Sequence, residues 1–116
     1  MKRKIIFYGD YFIDFYSSQD LKSKVKIDFI LDLIRNIERV PIKFLKHIEG
    51  TAGLYEVRVS THKSNIRIFC FFDEGNLVIL INSFIKKTSK TPKNELELAI
   101  KLKEEYFLEK AERNKK

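Results

Sequence analysis

The chain changes its hydrophobic period twice, and those changes divide it into elements. Lys4-Ile5-Ile6-Phe7-Tyr8 is a short β-prone run that Gly9 and Asp10 close as a turn. Tyr11, Phe12, Ile13, Phe15 and Tyr16 crowd the stretch to Ser17, enough apolar surface for a helical turn or two. Ser17, Ser18 and Asp20 then offer N-cap side chains to a longer helix beginning near Leu21. Within it Ile27, Ile30, Ile34 and Ile37 recur at spacings of three, four and three, and Leu31 and Leu33 widen the stripe. Lys24, Asp28, Asp32, Arg35 and Glu38 take the outer positions, which makes the helix amphipathic. Pro41 bounds it, because the residue before a proline is pushed out of helical backbone.

Residues 42–53 read as irregular and end in Gly50-Thr51-Ala52-Gly53. Beyond them the period drops from 3.6 to 2. Tyr55, Val57 and Val59 share one face of a strand, and Glu56, Arg58 and Ser60 share the other. Thr61 to Ser64 form a polar turn. Asn65 to Asp73 follow as a second strand, with Ile66, Ile68, Cys70 and Phe72 opposed to Arg67, Phe69 and Phe71. Asp73-Glu74-Gly75-Asn76 is a hairpin turn with glycine where a positive φ is expected. Leu77 to Phe84 is almost continuously apolar, as a central strand covered on both faces requires. The chain then enters Ile85-Lys86-Lys87-Thr88-Ser89-Lys90-Thr91-Pro92-Lys93, its most basic loop. Thr91 is the expected cap and Pro92 the expected first residue of a last helix, whose apolar face is Leu96, Ala99, Ile100 and Phe107. The order β-α-α-β-β-β-α predicts one α+β domain over residues 1–110, a small, mainly antiparallel sheet with helices packed on one face. Residues 111–116 are expected to form a frayed or disordered basic tail.

Composition narrows the chemistry. With 116 residues, 44% of them hydrophobic, the chain can bury a real core. One cysteine, Cys70, excludes a disulfide framework and a multi-cysteine zinc site; with only His47 and His62 besides, no metal or cofactor is expected. The basic start is followed by an apolar run too short for a secretory signal, and no stretch approaches a membrane span, so a cytoplasmic protein without membrane contact is expected.

The formal charge of +7 points to a polyanionic partner without naming it. Its location is more telling. Residues 54–93 hold Arg58, Lys63, Arg67, Lys86, Lys87, Lys90 and Lys93 against Glu56, Asp73 and Glu74. Arg58 and Arg67 lie on neighbouring strands, on the face expected to be only partly covered by helices. Each offers a planar five-donor fork suited to phosphate. The alternative for either is a cross-strand ion pair with Glu56. Lys86, Lys87, Lys90 and Lys93 lead into a helix N-terminus whose free amides favour anions, a combination suited to phosphate-backbone contacts. His62 is either an exposed turn histidine or an acid–base group, and Cys70 is expected to be inert core.

The run GLYEVRVSTHKSNIRIFCFFDEGNLVILINSFIKKTSKTPKNELELA resembles the HigB-like, phage-derived branch of the RelE/ParE toxin superfamily. The resemblance rests on Gly53, Tyr55, Glu56 and Arg58, on Arg67 and Phe69, and on Phe84, Lys86, Lys87, Lys90, Thr91 and Pro92. It implies a RelE-like fold and the toxin of a type II toxin–antitoxin pair. It also implies a metal-independent, ribosome-dependent endoribonuclease that cleaves mRNA and stops translation. Arg58, Arg67 and Lys87 would then be catalytic, and Lys86, Lys90, Lys93, Lys63 and His62 would bind RNA. The implied partners are the ribosome, mRNA and a HigA-like helix-turn-helix antitoxin, with operator DNA reached only through the antitoxin complex. Two alternatives share the scaffold: a ParE-like toxin that poisons gyrase, and a non-catalytic RNA- or partner-binding module.

Overall fold

The alternating centre of the chain builds the sheet. In the computed structural model, which describes residues 2–115, the elements are β1 (Lys4–Phe7), α1 (Tyr11–Ser17), α2 (Leu21–Asn36), β2 (Leu45–His47), β3 (Tyr55–Ser60), β4 (Asn65–Asp73), β5 (Leu77–Lys86) and α3 (Lys93–Asn114). The five strands lie in the order β1-β5-β4-β3-β2. All neighbours are antiparallel except β1, which runs parallel to β5 with Lys4 opposite Leu77. The α+β class and the mainly antiparallel sheet are as the sequence predicts. Glu74 and Gly75, at φ 49° and 79°, make the expected left-handed turn between β4 and β5.

The period-2 pattern sorts side chains onto two cores. On one face Val57, Val59, Ile66, Ile68, Cys70, Val78 and Leu80 pack against Phe12 of α1 and Ile27, Ile30, Leu31 and Ile34 of α2. On the other, Phe69, Phe71, Ile79, Ile81 and Phe84 pack against Ala99, Leu102 and Tyr106 of α3. The expectation of helices on one face therefore describes α1 and α2, while α3 crosses the opposite one. Cys70 is fully buried, and burial pushes its thiol up to about 12, so it is core rather than chemistry.

Four details depart from the sequence reading. The stretch read as irregular contains β2, three residues paired with Tyr55–Val57; so short a strand shows no periodicity of its own. Helix α2 stops at Asn36, leaving Ile37 extended and exposed rather than in the buried stripe. Arg3 holds this end, its guanidinium donating to the carbonyls of Ile34 (2.9 Å), Ile37 (2.6 Å) and Glu38 (2.6 Å). At α3, Pro92 occupies the cap position with no side-chain bond, and Thr91 does not cap. The helix then continues to Asn114, through the region expected to fray.

Long-range contacts hold α3 as far as Lys110. Tyr106 donates to Asp73 at 2.7 Å, and Lys110 reaches Asp73 at 2.9 Å and Glu74 at 3.2 Å. Tyr8 donates to Glu109. Burial alone would raise the Asp73 pKa, but the bonds from Lys110 and Tyr106 outweigh it, and the carboxyl titrates below its ordinary value.

Candidate nucleic-acid interface

A register shift places the site. Between Ile68 and Cys70 the β4–β5 ladder slips, a bulge that presents Asn82 toward α3. The Asn82 amide donates to the Glu95 carbonyl at 2.9 Å and to the Glu95 carboxylate at 3.0 Å, which fastens the first turn of α3 over β5. Beyond that point the α3 side of the sheet opens toward solvent. The next cross-strand row is Arg58–Arg67–Phe84, and the one after it is Ser60–Asn65–Lys86.

Arg58 and Arg67 are thus direct partners across the β3–β4 pair. Like charges directly opposite one another destabilise a sheet. Glu56, two residues before Arg58 on the same face, offsets this: its Oε1 lies 3.7 Å from Arg58 Nε and its Oε2 lies 3.9 Å from Arg67 Nε. Both separations exceed a hydrogen bond, and both Nε atoms and Glu56 Oε2 are buried without a hydrogen-bond partner. Glu56 and Arg67 are 7% and 8% exposed, whereas the Arg58 side chain is 31% exposed. Burial holds the Arg67 pKa below its ordinary value, the Arg58 charge adds to that effect, and Glu56 opposes it. The arrangement keeps a net positive charge under a partly open surface.

Lys86 shares this face one row further on, where β5 ends. Lys87 and Lys90 are exposed in the loop that follows, and Thr88 donates to the Lys90 carbonyl at 3.1 Å. Lys93 opens α3 and stands 3.8 Å from Glu97. His62 and Lys63 lie elsewhere. Both reach Asp20, at 3.3 and 3.0 Å, and Asp20 caps α2, the helix on the opposite face of the sheet. Hydrogen bonding from Ser23, followed by Lys63, holds the Asp20 carboxyl well below the usual carboxylate range. The structure therefore groups Arg58, Arg67 and Lys86 on one face with Lys87 next in the chain, and ties His62 and Lys63 to a helix cap.

Two features escape a reading of the sequence. Glu56 is a shared partner of both arginines; its position on the arginine face was readable, but its reach to Arg67 depends on register. Leu21, Val25 and Phe29 form a second apolar stripe on α2, 58–77% exposed, opposite the buried one. Their i, i+4, i+8 spacing was visible but masked by the stronger isoleucine stripe.

Among the described residues no group of three or more metal-ligating side chains comes together, and no helix is long and apolar enough to cross a membrane. The fold and the half-covered basic face define a small α+β protein whose sheet carries paired arginines. The family model described as phage-derived protein Gp49-like (DUF891) matches residues 14–104, and the chain belongs to that family, a RelE/ParE-like toxin family of toxin–antitoxin systems. The match takes in both arginines, the basic loop and the first half of α3. No curated protein matches the chain.

Proposed function

We propose that the protein is the toxin of a type II toxin–antitoxin pair, of the HigB-like kind, and that it cleaves mRNA on the ribosome without a metal. The observation that carries this reading is the direct pairing of Arg58 with Arg67 at the open end of the α3 face. A phosphodiester approaching from the Ser60–Asn65 side meets two guanidiniums with one neutralising carboxylate behind them. In the reaction the 2′-oxygen, its proton lost to solvent, attacks the adjacent phosphorus, and the bond from phosphorus to the 5′ oxygen breaks. The products are a 2′,3′-cyclic phosphate and a 5′-hydroxyl. Negative charge grows on the phosphorane oxygens, where Arg58 and Arg67 stabilise it from a fixed position. Lys87 supplies charge and gives a proton to the departing 5′ oxygen, then recovers one from water. Lys86, Lys90 and Lys93 hold the strand by its phosphates.

The partner in the pair is a helix-turn-helix antitoxin of the HigA-like kind, through which operator DNA is reached. The exposed Leu21, Val25 and Phe29 stripe, flanked by Lys22 and Lys26, suits an amphipathic helix of that antitoxin bearing acidic flanks. Ribosome, mRNA and antitoxin together make the cytoplasm the place of action.

Primer extension after a short pulse of expression tests the activity. New 5′ ends inside translated codons are the expected outcome; intact transcripts with an SOS response would instead indicate gyrase poisoning. Arg58→Ala and Arg67→Ala are each expected to slow cleavage about 10²–10³-fold. Growth arrest that survives the double variant would remove both residues from the site.

A further inference from the structure

We infer that Glu56 is a positioning residue for the reaction: it lies between the Nε edges of Arg58 and Arg67 on the α3 side, Arg67 Nη1 donates to the Ile66 carbonyl at 3.1 Å, and the remaining terminal nitrogens are left to the phosphate. This rests on the reading of the Arg58–Arg67 face as a phosphodiester site. The carboxylate divides itself between the pair, with Oε1 toward Arg58 Nε at 3.7 Å and Oε2 toward Arg67 Nε at 3.9 Å. One group therefore touches both forks. Its direct cross-strand neighbour is Phe69, which lies under α3, so it occupies the closed side of the arginine row. Ser60 and Asn65 mark the exposed side. A phosphate reaches the arginines from the exposed side and meets nitrogens that Glu56 does not occupy.

The trio is also incomplete as it stands. Two guanidiniums and one carboxylate leave one positive charge, and three of their buried polar atoms make no hydrogen bond. A structural ion network at this depth is ordinarily closed by good hydrogen bonds, because burying charge is otherwise costly. The unmet charge here faces the open row, and an arriving phosphate supplies the missing anion. Glu56 meanwhile carries the same sign as that phosphate. It therefore opposes ground-state binding while orienting the groups that stabilise the transition state, and its two effects have opposite signs.

Those opposite signs give the test. Glu56→Gln keeps the shape and removes the charge, and Glu56→Asp keeps the charge and shortens the reach. Ribosome–mRNA complexes yield kcat and KM. A strand with 2′-deoxyribose at the scissile position, followed by fluorescence anisotropy, reports binding without cleavage. For Glu56→Gln the expected result is kcat lower by roughly 10- to 100-fold, with binding of the uncleavable strand unchanged or tightened by up to about tenfold. Glu56→Asp should lower kcat with little change in binding. Wild-type kcat in Glu56→Gln, or binding that weakens in step with kcat, overturns the inference. Loss of a cooperative thermal transition in both variants also overturns it, in favour of a purely structural counter-ion. If the wild-type protein leaves ribosome-bound mRNA intact, the endoribonuclease reading fails by itself. The anisotropy arm still decides whether Glu56 opposes phosphate binding: tighter binding by Glu56→Gln supports that role, and weaker binding refutes it.

Discussion

A guanidinium buried as deeply as that of Arg67, with one shared carboxylate at 3.9 Å, stabilises a fold poorly. Without the Arg67 charge, Glu56 keeps Arg58 as its partner and the like-charge pairing across β3 and β4 is relieved, so an apolar side chain of similar volume leaves no carboxylate buried alone. Arg67→Met is therefore expected to unfold at the wild-type temperature or above it, while cleavage falls with that of Arg67→Ala. Thermal denaturation beside the primer-extension assay checks both halves. A large drop in stability would assign Arg67 to the fold rather than to the site. Stability sacrificed at a working residue is a common trade in proteins. The sequence showed that Arg58 and Arg67 would share a face, because a period of two leaves no choice. It could not show that they stand directly opposite, or that Glu56 reaches both, because the register of β3 on β4 is decided by the geometry of the turn between them. Nor could it show that Asp20 takes His62 and Lys63, since that contact joins the tip of a hairpin to a distant helix cap.

Helix α2 turns apolar side chains both ways. Ile27, Ile30 and Ile34 face the sheet, and Leu21, Val25 and Phe29 face outward. A helix that is apolar on both sides is normally covered on both. Under the antitoxin reading, Phe29→Asp should weaken binding of the cognate antitoxin by about 10- to 100-fold, as loss of a central aromatic contact does. Cleavage of mRNA should be unchanged, because this surface lies across the sheet from the arginines. Titration of toxin with antitoxin, read by recovery of translation in a cell-free extract, separates the two effects. Strong periodicity made α2, β3, β4 and β5 legible, whereas the three-residue β2 carried too little pattern. Residues 111–114, expected to fray, instead continue α3; Asp73, Glu74 and Tyr8, far away in sequence, hold Glu109 and Lys110 just before them. Local composition there, rich in lysine and glutamate, resembles a solvated tail.

At the scale of the whole molecule, the excess of positive charge is spread over the surface, but only part of it lies along the proposed strand path. If the scissile phosphate and those held by Lys86, Lys90 and Lys93 are neutralised, four in all, the affinity for a single strand should fall with salt at a log–log slope of about −3. Lys86→Ala should flatten that slope by about 0.7. Anisotropy titrations over a range of salt concentrations measure both, and a slope near zero would mean that the surface does not bind a phosphate chain. The sheet that carries these groups is closed by β1 against β5, where Lys4 meets Leu77. That pairing joins β1 to β5 across all the elements between them, so the native neighbour of β1 does not exist until those elements have been made. At synthesis rates of about 5–20 residues per second, the first strand waits roughly 4–15 s for its partner. The arginine row depends on the same late strand for its Phe84 flank. A growing chain therefore carries its cationic side chains unassembled past the ribosome that makes it, and the finished surface forms only after β5 has been made. Birth of the molecule and onset of its chemistry are separated in time by topology alone.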